Sequence, residues 1–329
     1  MCAHRADSRT TLENLLSSLQ NELNLNPSQP LFKLTYTSSP SWPYYLIDST
    51  KSRHNSTLKI AILDSSFNPP TKAHMQLLLQ SVKNYSNTKP DNSVSFDACL
   101  LLYAIKNADK TPSPSDAGPV DRILMMESLA SQIHSTTIKA EQTFNSLQNI
   151  ATGVTTHPLF MDKAKAIQSY LNNNKPSYSI DSSTFINYSP QISLHFILGF
   201  DTVIRLFNPQ YYSNIYKELN SFFEISNVIC ANRDGYGGRE IEENFFQSDI
   251  IKEIIGESEK LIRVKLDDDL AKISSTNVRK AISDAWNIER QETDDSDERE
   301  EIIKNILYNF CPESVAEFIV QEKLYRNTR

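Results

Sequence analysis

Nearly continuous apolar runs of strand length recur along this 329-residue chain and constrain its fold more than any other feature. Such runs are typical of parallel strands that are covered on both faces. Helical patterns at 73–87, 120–133 and 209–221 separate them. The runs are LKIAILD (58–64), FDACLLLYA (96–104), ISLHFILGF (192–200), EISNVICAN (224–232) and LIRVKL (261–266). This alternation predicts an α/β fold, an open and mainly parallel sheet with helices on both faces and right-handed crossovers.

Charge and cysteine usage argue against several classes of protein. The net charge of −7 argues against general nucleic-acid binding, which requires a positive surface. No apolar stretch approaches the roughly 20 residues of a membrane helix, and the N-terminus lacks the apolar core of a signal peptide. The cysteines are far apart, so a zinc site is not expected, and a reducing cytosol or nucleus fits them best. They are Cys2, Cys99, Cys230 and Cys311.

The chain divides into an N-terminal extension at 1–55 and one large α/β domain at 56–329. The extension contains an amphipathic helix and two short strand patterns, FKLTYT and YYLID. An acidic run, ETDDSDEREE (292–301), is expected to belong to a solvated linker near 289–301 before C-terminal helices; an interaction tail is the alternative. The Pro/Ser-rich segment 106–119 follows a strand end, where α/β sheets bind ligands, and is expected to be a functional loop.

The segment DSSFNPPTKAH (64–74) joins the first of these strands to a helix. A strand, a loop and a helix N-terminus together form an anion site, because backbone N–H groups and the helix dipole favour phosphate. The segment is neither a Walker A loop nor a Gly-x-Gly-x-x-Gly loop. Asn68 is a good turn former, Thr71 can cap the helix, and His74 lies in its first turn. A lone histidine there is more often structural than functional.

A second segment, ISSTNVR (273–279), favours a functional role for His74 over a structural one. It follows the strand LIRVKL and begins another helix with hydroxyl side chains, and Arg279 comes one turn later. This is a second helix start suited to phosphate. Two such starts and a histidine favour a nucleoside triphosphate as ligand.

Ser-Phe-Asn-Pro-Pro-Thr-x-x-His combined with Ile-Ser-Ser-Thr-x-x-Arg resembles the nucleotidylyltransferase superfamily. Within it, the chain is similar to the eukaryotic nicotinamide mononucleotide adenylyltransferases and their divergent fungal branch, over roughly residues 58–329. Gly199-Phe-Asp201 resembles the family's Gly-x-Asp, the segment 208–212 follows at a matching distance, and Asn232-Arg233 resembles its Thr-Arg. The resemblance implies a Rossmann-like nucleotidylyltransferase fold.

The chain departs from the family pattern at several positions. Ser65 replaces the glycine that usually precedes Ser-Phe in the first motif. Ala73 stands where the family has glycine or another small residue before the motif histidine, which is a mild change. Tyr212 stands where a tryptophan often stacks on nicotinamide, and the segment 151–163 contains no clear counterpart of a second tryptophan. These changes bear mainly on the second substrate.

The resemblance implies adenylyl transfer from ATP to nicotinamide mononucleotide, which gives NAD and pyrophosphate, with Mg²⁺ accompanying ATP and no metal-ligating protein residues. The implied catalytic residues are His74, which donates to the α-phosphate, and Arg279. The implied ATP- and phosphate-binding residues are Ser65, Ser66, Phe67, Thr71, Lys110 (or Lys106), Ser275, Thr276 and Asn277. The implied mononucleotide- and NAD-binding residues are Gly199, Asp201, Tyr211, Tyr212, whose ring would stack on the pyridinium, and Arg233.

Alternatives remain for the individual residues and for the whole protein. Asp201 can be a helix cap, Tyr212 a core residue, Arg233 a surface cation, and Ser275 and Thr276 simple N-caps. The enzyme could use another acceptor, or CTP, as cytidylyltransferase relatives do. A third hypothesis is an ATP-binding regulator or protein-quality-control factor on a diverged scaffold, with slow ATP hydrolysis; Ser65, the N-terminal helix and the acidic run support it. Protein partners and oligomeric state stay open.

Overall fold

A computed structural model of the chain describes residues 2–26, 29, 31–44, 57–86, 95–106, 113, 116–139, 145–175, 177–181, 184–187, 190–232, 238–265, 272–292 and 296–326. In this part of the chain, no helix is both long and apolar enough to cross a membrane.

The predicted parallel sheet is confirmed. Within the described residues, seven strands form one sheet in the order β1-β4-β3-β2-β7-β8-β9, and a separate hairpin consists of β5 (Ser177–Asp181) and β6 (Thr184–Asn187). All neighbours in the large sheet are parallel except β1 and β4. Its strands are β1 (Phe32–Thr37), β2 (Leu58–Asp64), β3 (Ala98–Ala104), β4 (Ile150–Thr155), β7 (Ile192–Gly199), β8 (Ser226–Ala231) and β9 (Leu261–Val264).

Helices cover both faces of this sheet, and successive residues of β2 contribute to two separate cores. Ala61 and Leu63 point into the core beneath α2, α3 and α10. Ile60 and Ile62 point into the core beneath α5, α6 and α7. The helices are α1 (Cys2–Leu25), α2 (Lys72–Ser86), α3 (Pro119–Lys139), α4 (Asn145–Gln148), α5 (Phe160–Asn173), α6 (Phe200–Leu206), α7 (Ile215–Ile225), α8 (Gly238–Phe246), α9 (Asp249–Ile254), α10 (Ser275–Glu292), α11 (Ser296–Leu307) and α12 (Glu313–Gln321).

The N-terminal strand is an edge strand of the main sheet. β1 pairs with β4, and Phe32 lies against Gly153, where a Cβ atom would come within 2.6 Å of the Phe32 ring. Glycine therefore leaves the space that this aromatic side chain occupies. Residues 45–48 of the second expected strand, YYLID, lie outside the described residues.

Two predicted elements differ from the structure. The acidic run is not simply a linker, because residues 296–301 already belong to α11, and residues 293–295 lie outside the described part. The single helix expected at 209–221 is instead a 3₁₀ turn (Pro209–Tyr211) followed by α7, which the Asn214 side chain caps.

The strand order reverses between β2 and β7, which are neighbours in the sheet but distant in the sequence. The helix after β2 lies on one face, and the helices after β7 lie on the other. The connections therefore diverge beyond the carboxyl ends of these two strands, and α/β sheets form their ligand crevices at such a point.

Candidate active site

A cleft of 1070 Å³ opens at this edge of the sheet, and both sequence motifs line it. The predicted residues on its wall are Ser65, Ser66, His74, Lys106, Gly199, Asp201, Tyr211, Tyr212, Ser275, Thr276 and Arg279. Lys110 and Arg233 lie outside the described residues. The structure therefore brings these predicted residues together on the wall of one cleft.

His74 is held with a defined pattern of hydrogen bonds at the start of α2. The backbone N–H of Thr71 donates to Nδ1 at 3.0 Å, and the Thr71 hydroxyl lies 2.8 Å from the same atom. Because an amide N–H can only donate, Nδ1 is the acceptor, and in the neutral imidazole Nε2 carries the proton. That N–H donates to the Ser65 hydroxyl at 2.9 Å. The structure thus presents His74 as a hydrogen-bond donor through Nε2.

Two of the expected phosphate-binding side chains lie behind His74 instead of on the cleft wall. Thr71 is fully buried, and its hydroxyl contacts the imidazole. Phe67 is also fully buried, and its ring centroid lies 5.5 Å from that of His74. Its φ of 45° is in the left-handed region, which is uncommon for a bulky residue. Both residues support the histidine.

The second motif docks directly onto the first. The Ser275 hydroxyl donates to the Pro69 carbonyl at 2.9 Å, and the Arg279 guanidinium donates to the Asn68 carbonyl at 2.6 Å. Ser274 is the N-cap residue, because its hydroxyl accepts from the backbone N–H of Asn277 at 3.2 Å. The alternative that Ser275 or Thr276 caps α10 is therefore wrong. Asn277 is exposed and is not among the residues that line the cleft.

A network that the sequence did not reveal fixes these two motifs. The Asn68 side chain donates to Asp116 at 2.6 Å and accepts from the backbone N–H of Ala117 and from the Tyr325 hydroxyl. Asp116 pairs with Arg122 at 3.2 Å and lies 3.6 Å from Arg279. Burial favours a higher pKa for Asp116, but the backbone N–H of Ser113, the Asn68 amide and both arginines lower it overall. Asp116 therefore stays ionised between two cationic side chains.

A second unpredicted feature is a buried ion pair in the cleft wall. The ammonium group of Lys163 on α5 donates to Asp64, the last residue of β2, at 2.6 Å. The same ammonium lies 4.6 Å from the centroid of the Phe160 ring. Because these residues are almost 100 positions apart, no local pattern of the sequence indicates the pair.

The β7 side of the cleft carries the residues expected for the mononucleotide. Gly199 is the N-cap residue of α6, so Asp201 is not its cap; Asp201 lies in the first turn and pairs with Arg205 at 3.3 Å. The Tyr212 hydroxyl donates to the Leu206 carbonyl, and its ring packs against the core on the α6 and α7 side. Burial raises the pKa of Tyr212. Tyr212 is therefore both a core residue and a cleft residue.

The described carboxylates of the cleft already have cationic partners. Asp64 is paired with Lys163, Asp116 with Arg122 and Asp201 with Arg205. Across the described residues, no group of three or more His, Cys, Asp or Glu side chains could hold a metal ion.

The fold and the cleft define an α/β protein with a candidate anion-binding site, since two helix N-termini, a histidine and two arginines converge at the switch point of a parallel sheet. No family model matches the chain. A curated protein of Schizosaccharomyces pombe, provisionally named a nicotinamide mononucleotide adenylyltransferase, is 29% identical over 231 residues, which cover 68% of this chain and 75% of that protein. In that match and in its two motifs, the chain is similar to nicotinamide mononucleotide adenylyltransferases.

Solved structures of Plasmodium falciparum nicotinic acid mononucleotide adenylyltransferase are also similar to the chain. One is a complex with NaAD and another a complex with APC. Each is 16% identical with a TM-score of 0.46, and the similarity covers 82% of this chain and 97% of that chain.

Proposed function

We propose that the protein transfers the adenylyl group of ATP to nicotinamide mononucleotide and releases NAD and pyrophosphate. The observation that carries this proposal is the Nε2–H donor of His74 between two helix starts suited to phosphate. The name of the S. pombe relative supports the same chemistry.

The reaction needs no nucleophile from the protein. A phosphate oxygen of the mononucleotide attacks the α-phosphorus of ATP, a new P–O bond forms, and the bond to the β-phosphate oxygen breaks with release of pyrophosphate. The protein contributes by binding both substrates in line and by stabilising the negative charge that develops. His74 donates to an α-phosphate oxygen, for which it exchanges its hydrogen bond with Ser65.

The β- and γ-phosphates bind at the start of α10. The first backbone N–H groups of a helix have no intrahelical acceptor, so those of Ser275 and Thr276 are suited to phosphate oxygens. Arg279 is positioned by the Asn68 carbonyl and Asp116 and supplies positive charge. Ser66 and Lys106 on the cleft wall, together with Lys110, complete this phosphate site in the proposal.

Mg²⁺ enters as part of the MgATP substrate. Bound to phosphate oxygens, it neutralises charge on the transferring group and on pyrophosphate. The described carboxylates of the cleft are engaged by cations, which fits a metal held by phosphates. Gly199, Asp201, Tyr211, Tyr212 and Arg233 bind the mononucleotide and its ribose hydroxyls. The proposed location is the cytosol or the nucleus.

The direct test is to incubate purified protein with MgATP and nicotinamide mononucleotide and to measure NAD. We expect His74→Ala to lower kcat by about 100-fold or more, as is typical when a transition-state donor is lost. His134→Ala is the matched control, because His134 on α3 donates to the Gln148 carbonyl on α4 and does not line the cleft. A wild-type rate no higher than that of His74→Ala would refute the proposed activity.

One observation favours a second candidate, an ATP-binding regulator with slow ATP hydrolysis. Ser65 stands where relatives have glycine, and its hydroxyl accepts the Nε2–H donor that catalysis requires. Under this alternative, ATP binds and phosphate is slowly released, but pyrophosphate is not. Ser65→Gly would then increase transfer, since it returns the donor to the substrate. Pyrophosphate release by the wild-type protein with the mononucleotide present would exclude this candidate.

A further inference from the structure

The Asp64–Lys163 ion pair is buried, yet it lines the cleft. The two side chains are 9% and 6% exposed, and their charged atoms are 2.6 Å apart. Taking two charges out of water is costly, and the cost is repaid only when further hydrogen bonds satisfy the remaining atoms. Ionisable groups that are kept in such a position are candidates for function.

Among the described residues, part of this pair's hydrogen-bonding capacity is unused. An ammonium group has three N–H donors, and a carboxylate has two acceptor oxygens. Within the described residues, Lys163 donates to Oδ2 of Asp64, and neither side chain has another hydrogen-bond partner. The pair therefore offers a ligand one or more donors and an acceptor, side by side.

The surroundings of the pair suit an aromatic ring and not a polyphosphate. Pro158, Leu159 and Phe160 precede Lys163 on the cleft wall, and Tyr211 and Tyr212 belong to the same wall. Phe160 and Tyr212 pack against the core beneath α5, α6 and α7. On the opposite face of the sheet lie α2 with His74, α3 with Arg122, and α10. The phosphate-binding groups and the ring-binding groups thus come from opposite faces.

We propose that Asp64 and Lys163 read the substituent on the acceptor's pyridine ring and select a carboxamide over a carboxylate, an inference that rests on the proposed function. A primary carboxamide has a carbonyl acceptor for Lys163 and an N–H donor for Asp64. It therefore satisfies the remaining hydrogen-bonding capacity of both side chains and leaves their ion pair intact. A carboxylate has acceptors alone, and its charge is repelled by Asp64. The pair thus favours nicotinamide mononucleotide over nicotinic acid mononucleotide.

The test is the ratio of kcat/KM for nicotinamide mononucleotide to that for nicotinic acid mononucleotide. Asp64→Asn leaves the ammonium without its counter-ion, and we expect the ratio to fall about tenfold or more. Lys163→Met leaves the carboxylate alone, and we expect the ratio to rise while kcat/KM for the amide falls. A purely structural pair would not move the ratio in opposite directions. Because both substrates are assayed on one preparation, a partly folded variant still gives a valid ratio.

Asp121→Asn is the matched control for the loss of a paired carboxylate. Asp121 accepts from Arg9 at 2.8 Å and does not line the cleft, so its replacement leaves the ratio unchanged. Ratios that stay within about twofold of wild type in both cleft variants would overturn the inference while the activity stands. A raised KM for ATP in Asp64→Asn with an unchanged ratio would mean that the pair reads adenine, which also overturns it.

Failure of the proposed function has a different signature. If the wild-type protein forms no product with either acceptor, calorimetric titration with NAD and with nicotinic acid adenine dinucleotide measures the same preference in binding. A preference for NAD that Asp64→Asn shifts toward the acid form supports the inference without the activity. An unshifted preference, or no binding of either dinucleotide, overturns it.

Discussion

The aromatic ring of Tyr212 has two environments, the cleft wall and the core on the α6 and α7 side. Its hydroxyl donates to the Leu206 carbonyl, which fixes the ring at the end of the 3₁₀ turn. If this ring stacks on the pyridinium cation, the contact contributes roughly 0.5–2 kcal/mol. A fixed ring loses little freedom on binding, which favours such a role.

Replacing Tyr212 separates stacking from packing. We expect Tyr212→Ala to raise the KM for the mononucleotide by about one order of magnitude at most, with the KM for ATP nearly unchanged. Tyr212→Trp should retain or improve affinity, because Trp makes the better cation–π contact, and Tyr212→Phe keeps the ring and loses only the bond to Leu206. Initial-rate kinetics for both substrates measure this. Equal increases in both KM values would assign Tyr212 to packing alone.

At the scale of single residues, the sequence predicted the cleft residues that belong to a local pattern. His74, Ser275, Arg279 and Asp201 stand at strand ends or helix starts, where the chemistry of a helix N-terminus makes a site predictable. Asp64, Asp116, Arg122 and Lys163 were missed because each acts through a partner on another element. Such pairings arise from the fold, and no spacing along the chain encodes them.

Among the elements, α3 and the edge strand β1 enclose an unusual carboxyl group. Glu127 on α3 lies near Thr35 of β1, and one of its oxygens has no hydrogen-bond partner in the described part of the chain. Burial raises the pKa of Glu127 to about 7, and a hydrogen bond with Thr35 lowers it in part. The folded protein therefore holds this proton more tightly than the unfolded chain does.

This proton should make the stability of the protein depend on pH. Because the folded pKa is above the unfolded value, the stabilising effect is complete at low pH and is lost as pH rises to about 7, with an upper bound of about 3 kcal/mol. We expect Glu127→Gln to be more stable than wild type at pH 8 and to depend less on pH between 5 and 8. Urea unfolding at several pH values measures this, with Glu257→Gln, an exposed site, as control. Parallel curves for wild type and Glu127→Gln would contradict it.

Strands that are nearly all apolar were predictable from the sequence, whereas a strand that mixes apolar, polar and glycine residues was not. β2, β3, β7 and β8 are nearly all apolar because both faces are covered. β4 (IATGVT) was missed, since two threonines and a glycine hide its buried character; Thr152 bonds Thr35, and Gly153 accommodates Phe32. α5 was missed as well, although it supplies Lys163 to the cleft. Its position depends on β4, which the sequence did not show.

Over the whole molecule, the two ends of the chain meet near the first motif. Arg9 on α1 bridges Asp121 on α3 and Glu322 after α12 at 2.8 and 3.0 Å. Beyond α12, the backbone turns through Lys323 and Tyr325, both with positive φ, and brings the Tyr325 hydroxyl to Asn68. The C-terminal segment therefore supports the loop that holds His74, over a sequence distance that no pattern spans.

Tyr325 should therefore act as a positioning residue for the loop that precedes His74. Its hydroxyl donates to Oδ1 of Asn68 at 2.9 Å, and Asn68 in turn bonds Asp116 and presents its carbonyl to Arg279. Tyr325→Phe removes this bond, and we expect it to cost about 1 kcal/mol of stability and to lower kcat several-fold, with a small effect on KM for the mononucleotide.

Tyr44→Phe is the matched variant that separates stability from positioning. Tyr44 is also buried, and its hydroxyl donates to the Leu171 carbonyl at 3.1 Å, away from the first motif. We expect a similar loss of stability in this variant, since each substitution removes a buried hydroxyl group that donates a hydrogen bond, but an unchanged kcat at a temperature where both variants are folded. Equal kcat values for Tyr325→Phe and Tyr44→Phe would show that the bond from Tyr325 to Asn68 stabilises the fold without positioning the loop. The predicted effect of the C-terminal segment on kcat would then be wrong.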